Sequence, residues 1–224
     1  MEGNVLEANI DVSFISASKS NMGKCIIMTD HKTIGVYDSR AKQYADLKTD
    51  SEIHHSLQNF LEHLPKQARI LDWGCGPGIH SKHMKDAGYL PDPIDASARM
   101  VASAQEKYDL HARVGAFDDK LAENYHGAWV NFSLLHVSRH DFKKHLYQLN
   151  EALLCGGVLH LGMKRGKGEK RDKFQRFYTL YETIELTTHL EEARFDIIDV
   201  EEGVGTGLAG SKDPFVLILS KKSG

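Results

Sequence analysis

The stretch Ile70-Leu71-Asp72-Trp73-Gly74-Cys75-Gly76-Pro77-Gly78 constrains this chain more than any other. An apolar run closes on an aspartate, and glycines then alternate at positions 74, 76 and 78 ahead of a helix-like segment. Glycine lets a backbone turn sharply and come close to a ligand. A strand that ends in such a turn and feeds a helix opens many α/β sheets, whose ligands sit at the carboxyl ends of the strands. A dinucleotide fingerprint G-x-G-x-x-G would need glycine at position 79, but Ile79 stands there and the spacing is G-x-G-x-G.

The rest of the chain alternates helix and strand patterns. Ile34, Tyr37, Ala41 and Tyr44 share one face of a helix over 33–44, and Leu57, Phe60, Leu61 and Leu64 follow helical spacing up to Pro65. Beyond the glycine turn a helix runs to Ala87 and stops at Gly88. A strand broken by Pro91 and Pro93 then ends in Ile94-Asp95. Ser97 caps a helix to Tyr108, Arg113-Val114 is a short strand, and 128–132 reads as a buried strand. Asp141 is placed as the cap of a helix to Leu154 that Gly156-Gly157 terminates; 158–163 is a strand and 181–193 a helix. Segments 195–200 and 215–219 form a terminal strand pair. Repeated strand–helix–strand units predict an open, mostly parallel sheet with helices on both faces, and the closing pair predicts one antiparallel strand.

Composition narrows the function classes. A chain of 224 residues has room for one medium domain. It carries no apolar run of about 18 residues, so no transmembrane helix is expected. A net charge of −3 argues against a nucleic-acid partner. Cys25, Cys75 and Cys155 form neither a C-x-x-C pair nor a disulfide framework, which makes a reducing cytoplasm the expected setting. Glu2 and Glu7 stand where a signal peptide would be positive. Residues 1–30 are expected to be a poorly ordered tail, with Met28 as an alternative start; 31–224 would be the working domain, and 31–65 its helical lid.

Asp95 lies twenty-one residues past Gly74, at the end of the second strand. A carboxylate there can accept bonds from two adjacent ribose hydroxyls. Alone it would also read as a helix cap ahead of Ser97; with the glycine turn it indicates a nucleoside-containing cofactor. Taken with 94–97 and Met100, Ala116-Phe117-Asp118, Ser133-Leu134-Leu135-His136-Val137, 153–159, and Tyr37-Asp38-x-x-Ala41-x-x-Tyr44, the chain resembles a class I S-adenosylmethionine-dependent methyltransferase of the small bacterial single-domain type. The resemblance implies a Rossmann-like, doubly wound sheet of seven strands and S-adenosyl-L-methionine as cofactor. It places Gly74, Cys75 and Gly76 against the methionine part, with Asp72 near its amino group. Asp95 would hold the ribose, Ala96 and Met100 would flank the adenine, Phe117 would pack on it, and Asp118 would accept its amine. Ser133 and His136 would lie near the transferable methyl, and Tyr37 and Tyr44 would fold over the cofactor. Prolines in the second strand and Ala193-Arg194-Phe195 in place of a Gly-Phe pair depart from the family pattern.

The acceptor is defined mainly by exclusion. No N-P-P-aromatic motif, Pro-Cys nucleophile pair or paired-glutamate loop is present. His136 reads either as a base or substrate orienter, or as a histidine satisfied by backbone. Residues 164–176 carry seven positive and two negative charges. They read as a solvated loop or as a lid for an anionic substrate, with Lys164, Arg171, Arg176 and Tyr178 as its candidate members. The pairs His80/His83 and His136/His140 lack the partners of a zinc site, so no metal is expected. The leading reading is in-line methyl transfer to a small molecule, which an anion would suit, by a monomer or homodimer without a membrane or nucleic-acid partner. The alternatives are a nicotinamide-dependent oxidoreductase and an inert cofactor-binding regulatory domain.

Overall fold

The computed structural model describes residues 30–45, 51–207 and 210–224. The expectations for residues 1–29 fall outside them. The order of elements is α1 (His31–Ala45), α2 (Ser51–Glu62), β1 (Arg69–Trp73), α3 (Ile79–Asp86), β2 (Leu90–Asp95), α4 (Ala98–Tyr108), β3 (Arg113–Val114) and β4 (Tyr125–Asn131). It continues with a 3₁₀ turn (Leu134–His136), α5 (Arg139–Ala152), β5 (Leu153–Lys164), β6 (Gly168–Arg171), β7 (Phe177–Leu180), α6 (Thr183–Glu192), β8 (Phe195–Thr206) and β9 (Lys212–Lys222).

Seven strands form one sheet in the order β3-β2-β1-β4-β5-β9-β8. The strands from β3 to β5 pair in parallel, and β9 runs antiparallel to both neighbours. The chain moves outward from β1 to β3 and returns to β4, so the order of strand addition reverses between the parallel neighbours β1 and β4. That gap opens a crevice at the strand carboxyl ends. Successive strand residues point to opposite faces, and both faces here are covered. Leu71, Trp73, Ala128 and Val130 pack on one side with Phe142, Leu146, Leu149 and Leu161. Ile70 and Trp129 pack on the other with Leu57, Phe60 and Met84. Truncating a core side chain such as Leu146 would cost about 2–5 kcal/mol. Among the described residues, no helix is long and apolar enough to cross a membrane.

Local structure departs from the sequence expectation in three places. Ser138, not Asp141, caps α5, and its side chain accepts from the Asp141 N–H. Asp141 lies one turn inside, and its Oδ2 accepts from the Ser138 hydroxyl at 2.6 Å. Next, α5 runs straight into β5, so Gly156-Gly157 sits inside a strand rather than behind a helix. The register jumps there from Tyr125–Leu153 to Gly127–Val158. Third, part of the basic segment 164–176 pairs as the hairpin β6–β7, a separate two-stranded sheet.

Candidate active site

The carboxyl ends of β1, β2 and β4 converge with α1, the hairpin and the tip of β8–β9 on a cleft of about 480 Å³. One end is built from main chain. Gly74, Gly76 and Gly78 take φ of 85°, 55° and 83°. The Gly74 and Cys75 N–H groups donate to the Ile94 carbonyl at 2.8 and 3.0 Å, which ties the turn to β2. A Cβ on Gly74 would lie 2.3 Å from the Cβ of Ser133, whose hydroxyl donates to the Trp73 carbonyl at 2.6 Å. Nothing lies within 4 Å of the corresponding point on Gly76, so that glycine presents bare backbone to open space.

Asp95 closes this end. Its Oδ2 accepts from Gly76 N–H and its Oδ1 from Ser97 N–H, both at 2.8 Å. Each oxygen keeps a further lone pair for a ligand. Burial raises its pKa from the ordinary carboxylate range. Ala96, Met100, Phe117, Ser133 and Cys75 line the cleft beside it, and the Phe117 ring is set edge-on to Trp73 at 4.9 Å. Two expected residues lie elsewhere. Asp72 is buried beneath the turn, hydrogen bonded by the Ser81 hydroxyl at 2.6 Å, and burial pushes its pKa up to about 7. Asp118 borders a separate surface depression with Lys144, Tyr147 and Gln148.

The other end is built from side chains. Tyr37, Tyr44, His136, Lys164, Arg176 and Tyr178 all line the cleft. Arg176 is 1% exposed. Its Nε and Nη2 donate to Asp172 Oδ2 at 2.9 and 2.6 Å, and its Nη1 reaches the Tyr37 and Tyr44 hydroxyls at 3.4 and 3.3 Å. His136 Nδ1 lies 2.5 Å from the Phe177 carbonyl, which can only accept, so the ring proton sits on Nδ1. Nε2 therefore accepts from the Tyr37 hydroxyl at 2.7 Å. Burial, with help from Arg176 and Lys164, lowers the His136 pKa to about 4. Both ring nitrogens of His136 are thus engaged, Nδ1 by backbone and Nε2 by the Tyr37 hydroxyl. Arg171 does not line the cleft; it pairs with Asp30 at 2.9 Å.

Helix α1 covers the cleft through polar clamps. Asp38 Oδ1 accepts from the Ser97 hydroxyl at 2.6 Å and from the Arg99 N–H at 3.2 Å, so it supplements the cap of α4. Thr33 accepts from the Phe177 N–H at 2.8 Å, tying α1 to β7. Asp38, Thr33 and Asp172 were not expected as site residues, nor were Thr206 and Phe215 at the β8–β9 tip. The D-x-x-x-R spacing of Asp172 and Arg176 was a signal available in the sequence. No group of three or more His, Cys, Asp or Glu suited to a metal occurs among the described residues.

Residues 70–157 match the family model described as a methyltransferase domain. No curated protein matches the chain. Among solved structures, the 1,6-didemethyltoxoflavin-N1-methyltransferase of Burkholderia thailandensis, with bound 1,6-didemethyltoxoflavin and S-adenosylhomocysteine, superposes with a TM-score of 0.70 at 19% identity; 87% of this chain and 88% of that chain are covered. A Methanosarcina mazei S-adenosylmethionine-dependent methyltransferase gives 0.65 at 17% identity, covering 79% and 99%. A TehB-like methyltransferase of Corynebacterium glutamicum gives 0.64 at 17% identity, covering 87% and 100%. At these identities the structural likeness is one of fold.

Proposed function

We propose that this chain, whose residues 70–157 match a methyltransferase-domain model, transfers the methyl group of S-adenosylmethionine to a small anionic molecule by in-line displacement. The observation that carries the reading is the division of one cleft into a backbone-lined end closed by Asp95 and a side-chain end holding a buried cation. Bare backbone at Gly76 and the remaining lone pairs of Asp95 suit a nucleoside cofactor. The Burkholderia neighbour, with its bound 1,6-didemethyltoxoflavin and S-adenosylhomocysteine, supports a small-molecule acceptor beside such a cofactor.

The cofactor, when bound, supplies a methyl carbon activated by its sulfonium. The residues of this chain then have the task of alignment and dehydration. Asp95 would hold the ribose hydroxyls, and Phe117 and Met100 would flank the base. Tyr37, Tyr44 and Tyr178, anchored by Arg176 and His136, would wall the acceptor. Proximity and orientation of this kind contribute about 7–11 kcal/mol in favourable cases. Calorimetry with S-adenosylmethionine, S-adenosylhomocysteine and NAD tests the first half of the reading: both sulfur nucleosides should bind, and tighter binding of NAD would overturn it. Labelled-methyl transfer into a metabolite extract tests the second half, and the absence of any labelled product would leave only a binding domain.

A further inference from the structure

We propose that the methyl acceptor is a planar, conjugated acid that binds as its anion, with its charge on Arg176 Nη1 and its ring among Tyr37, Tyr44 and Tyr178. The inference rests on the methyl-transfer reading and narrows its acceptor class.

The cleft's charged groups are not equivalent. Lys164 is paired at 2.6 Å with Asp213, which lines the same cleft, so its charge is already offset on the cleft side. The lining carboxylate Asp30 is offset by Arg171, and Glu201 borders the cleft as an exposed residue. Arg176 differs because its counter-ion stands behind it. Asp172 holds Nε and Nη2 and does not line the cleft, while its Oδ1 accepts from the Phe174 and Arg176 N–H groups at 2.9 and 3.0 Å. What Nη1 meets on the cleft side is two phenol oxygens at 3.4 and 3.3 Å, longer than a good charge-assisted bond. A ligand oxyanion or ring-nitrogen anion would bond it better. Tyr37 and Tyr44 meet edge to face at 5.3 Å and Tyr178 tilts over His136 at 4.8 Å, giving aromatic walls suited to a flat ring.

Proton accounting points the same way. Nδ1 of His136 is held on the Phe177 carbonyl and Nε2 on the Tyr37 hydroxyl. Burial keeps the imidazole neutral and raises the Tyr37 and Tyr178 phenols, so neither kind of group is poised to take a proton. An acceptor that has already released its proton to water attacks with a free lone pair. The new bond forms to the methyl carbon, the S–C pair stays on sulfur, and the opposite charges cancel with no proton moved.

The test uses 4-nitrophenol, whose anion absorbs visible light, titrated with pH on the protein saturated with S-adenosylhomocysteine. The bound probe should ionise about one pH unit lower than in water, a tenfold preference for the phenolate. Arg176→Gln should abolish the shift. Asp172→Asn, which removes the charge behind Arg176, should enlarge it, whereas mere damage to the site would shrink both. An unshifted or raised ionisation, no binding at millimolar probe, or a smaller shift in Asp172→Asn overturns the proposal. If Arg176→Gln does not fold, Asp172→Asn decides alone. S-adenosylhomocysteine binding is measured first: its absence overturns the methyl-transfer reading and this one with it, while normal binding with an unshifted probe overturns only this one.

Discussion

The two ends of the cleft are fixed by different means. At the glycine turn, position comes from backbone: N–H groups of residues 74 and 75 on the Ile94 carbonyl, the Gly76 N–H on Asp95, and a contact at Gly74 that admits no Cβ. At the hairpin, position comes from long side chains: Arg176 on Asp172, Tyr37 on His136, Arg171 on Asp30. Backbone constraints of the first kind leave few alternatives. Side-chain clamps of the second kind can be exchanged one by one. In the proposed function, one end would hold a single ligand type and the other could be retuned for different ones.

The largest test of this contrast is Gly74→Ala. A Cβ 2.3 Å from that of Ser133, at φ of 85°, should cost about 3 kcal/mol of stability and abolish S-adenosylhomocysteine binding, read by melting and calorimetry. Retained binding would show the turn to be more plastic than the contact allows. Asp95→Ala should weaken that ligand about thirtyfold, roughly 2 kcal/mol, with little change in 4-nitrophenol affinity; equal losses would mean the two ends are not separable.

The ends should also titrate in opposite senses. Asp72 is held at about 7 by burial, above its value near 3.8 in the unfolded chain, so its contribution is complete below about 4 and is lost as pH rises to 7. His136 is held at about 4, below 6.5, so its contribution is complete above 6.5 and is lost as pH falls to about 4. Asp72→Asn should gain on the parent protein as pH rises through the first window, and His136→Asn as it falls through the second, each by about 1.4 kcal/mol per pH unit at most in denaturant titrations. Parallel curves would contradict the assigned burial. The smallest effect belongs to the clamp between the ends: Asp38→Ala should cost about 1 kcal/mol, the scale of a lost helix cap, and should raise hydrogen exchange at the start of α4.

This contrast also explains what the sequence shows. The glycine turn, Asp95, Phe117 and Ser133 stand out because strand, turn and helix follow one another within a local pattern. The seven-stranded sheet could be read for the same reason, since β1, β4 and β5 are buried apolar runs. The hairpin could not. All four residues of β6 are exposed, so Gly168-Glu169-Lys170-Arg171 shows no period-two alternation and reads as a charged loop. The same holds for most of β8 beyond Phe195, which extends to Thr206 with few buried positions. Ser138 does not stand out in the sequence as a cap because Asp141, three positions on, is an equally good capping residue; only the backbone decides between them. Arg171 and Arg176 look alike in a basic run, and only the fold directs one at Asp30 and the other into the cleft.

The hairpin has one more consequence, for how such a chain can diversify. Among the described residues, strands β6 and β7 pair only with each other, and the segment is closed at its base by a bridge between Arg165 and Tyr181. Residues 166–180 are thus a cassette between two fixed points. Exchanging or lengthening its tip leaves the pairing of Val158–Lys164 with Phe215–Lys221 in place. Under the proposed methyl transfer, acceptor preference would drift there by insertion and deletion, as well as by point substitution, while the scaffold around the glycine turn stays in register.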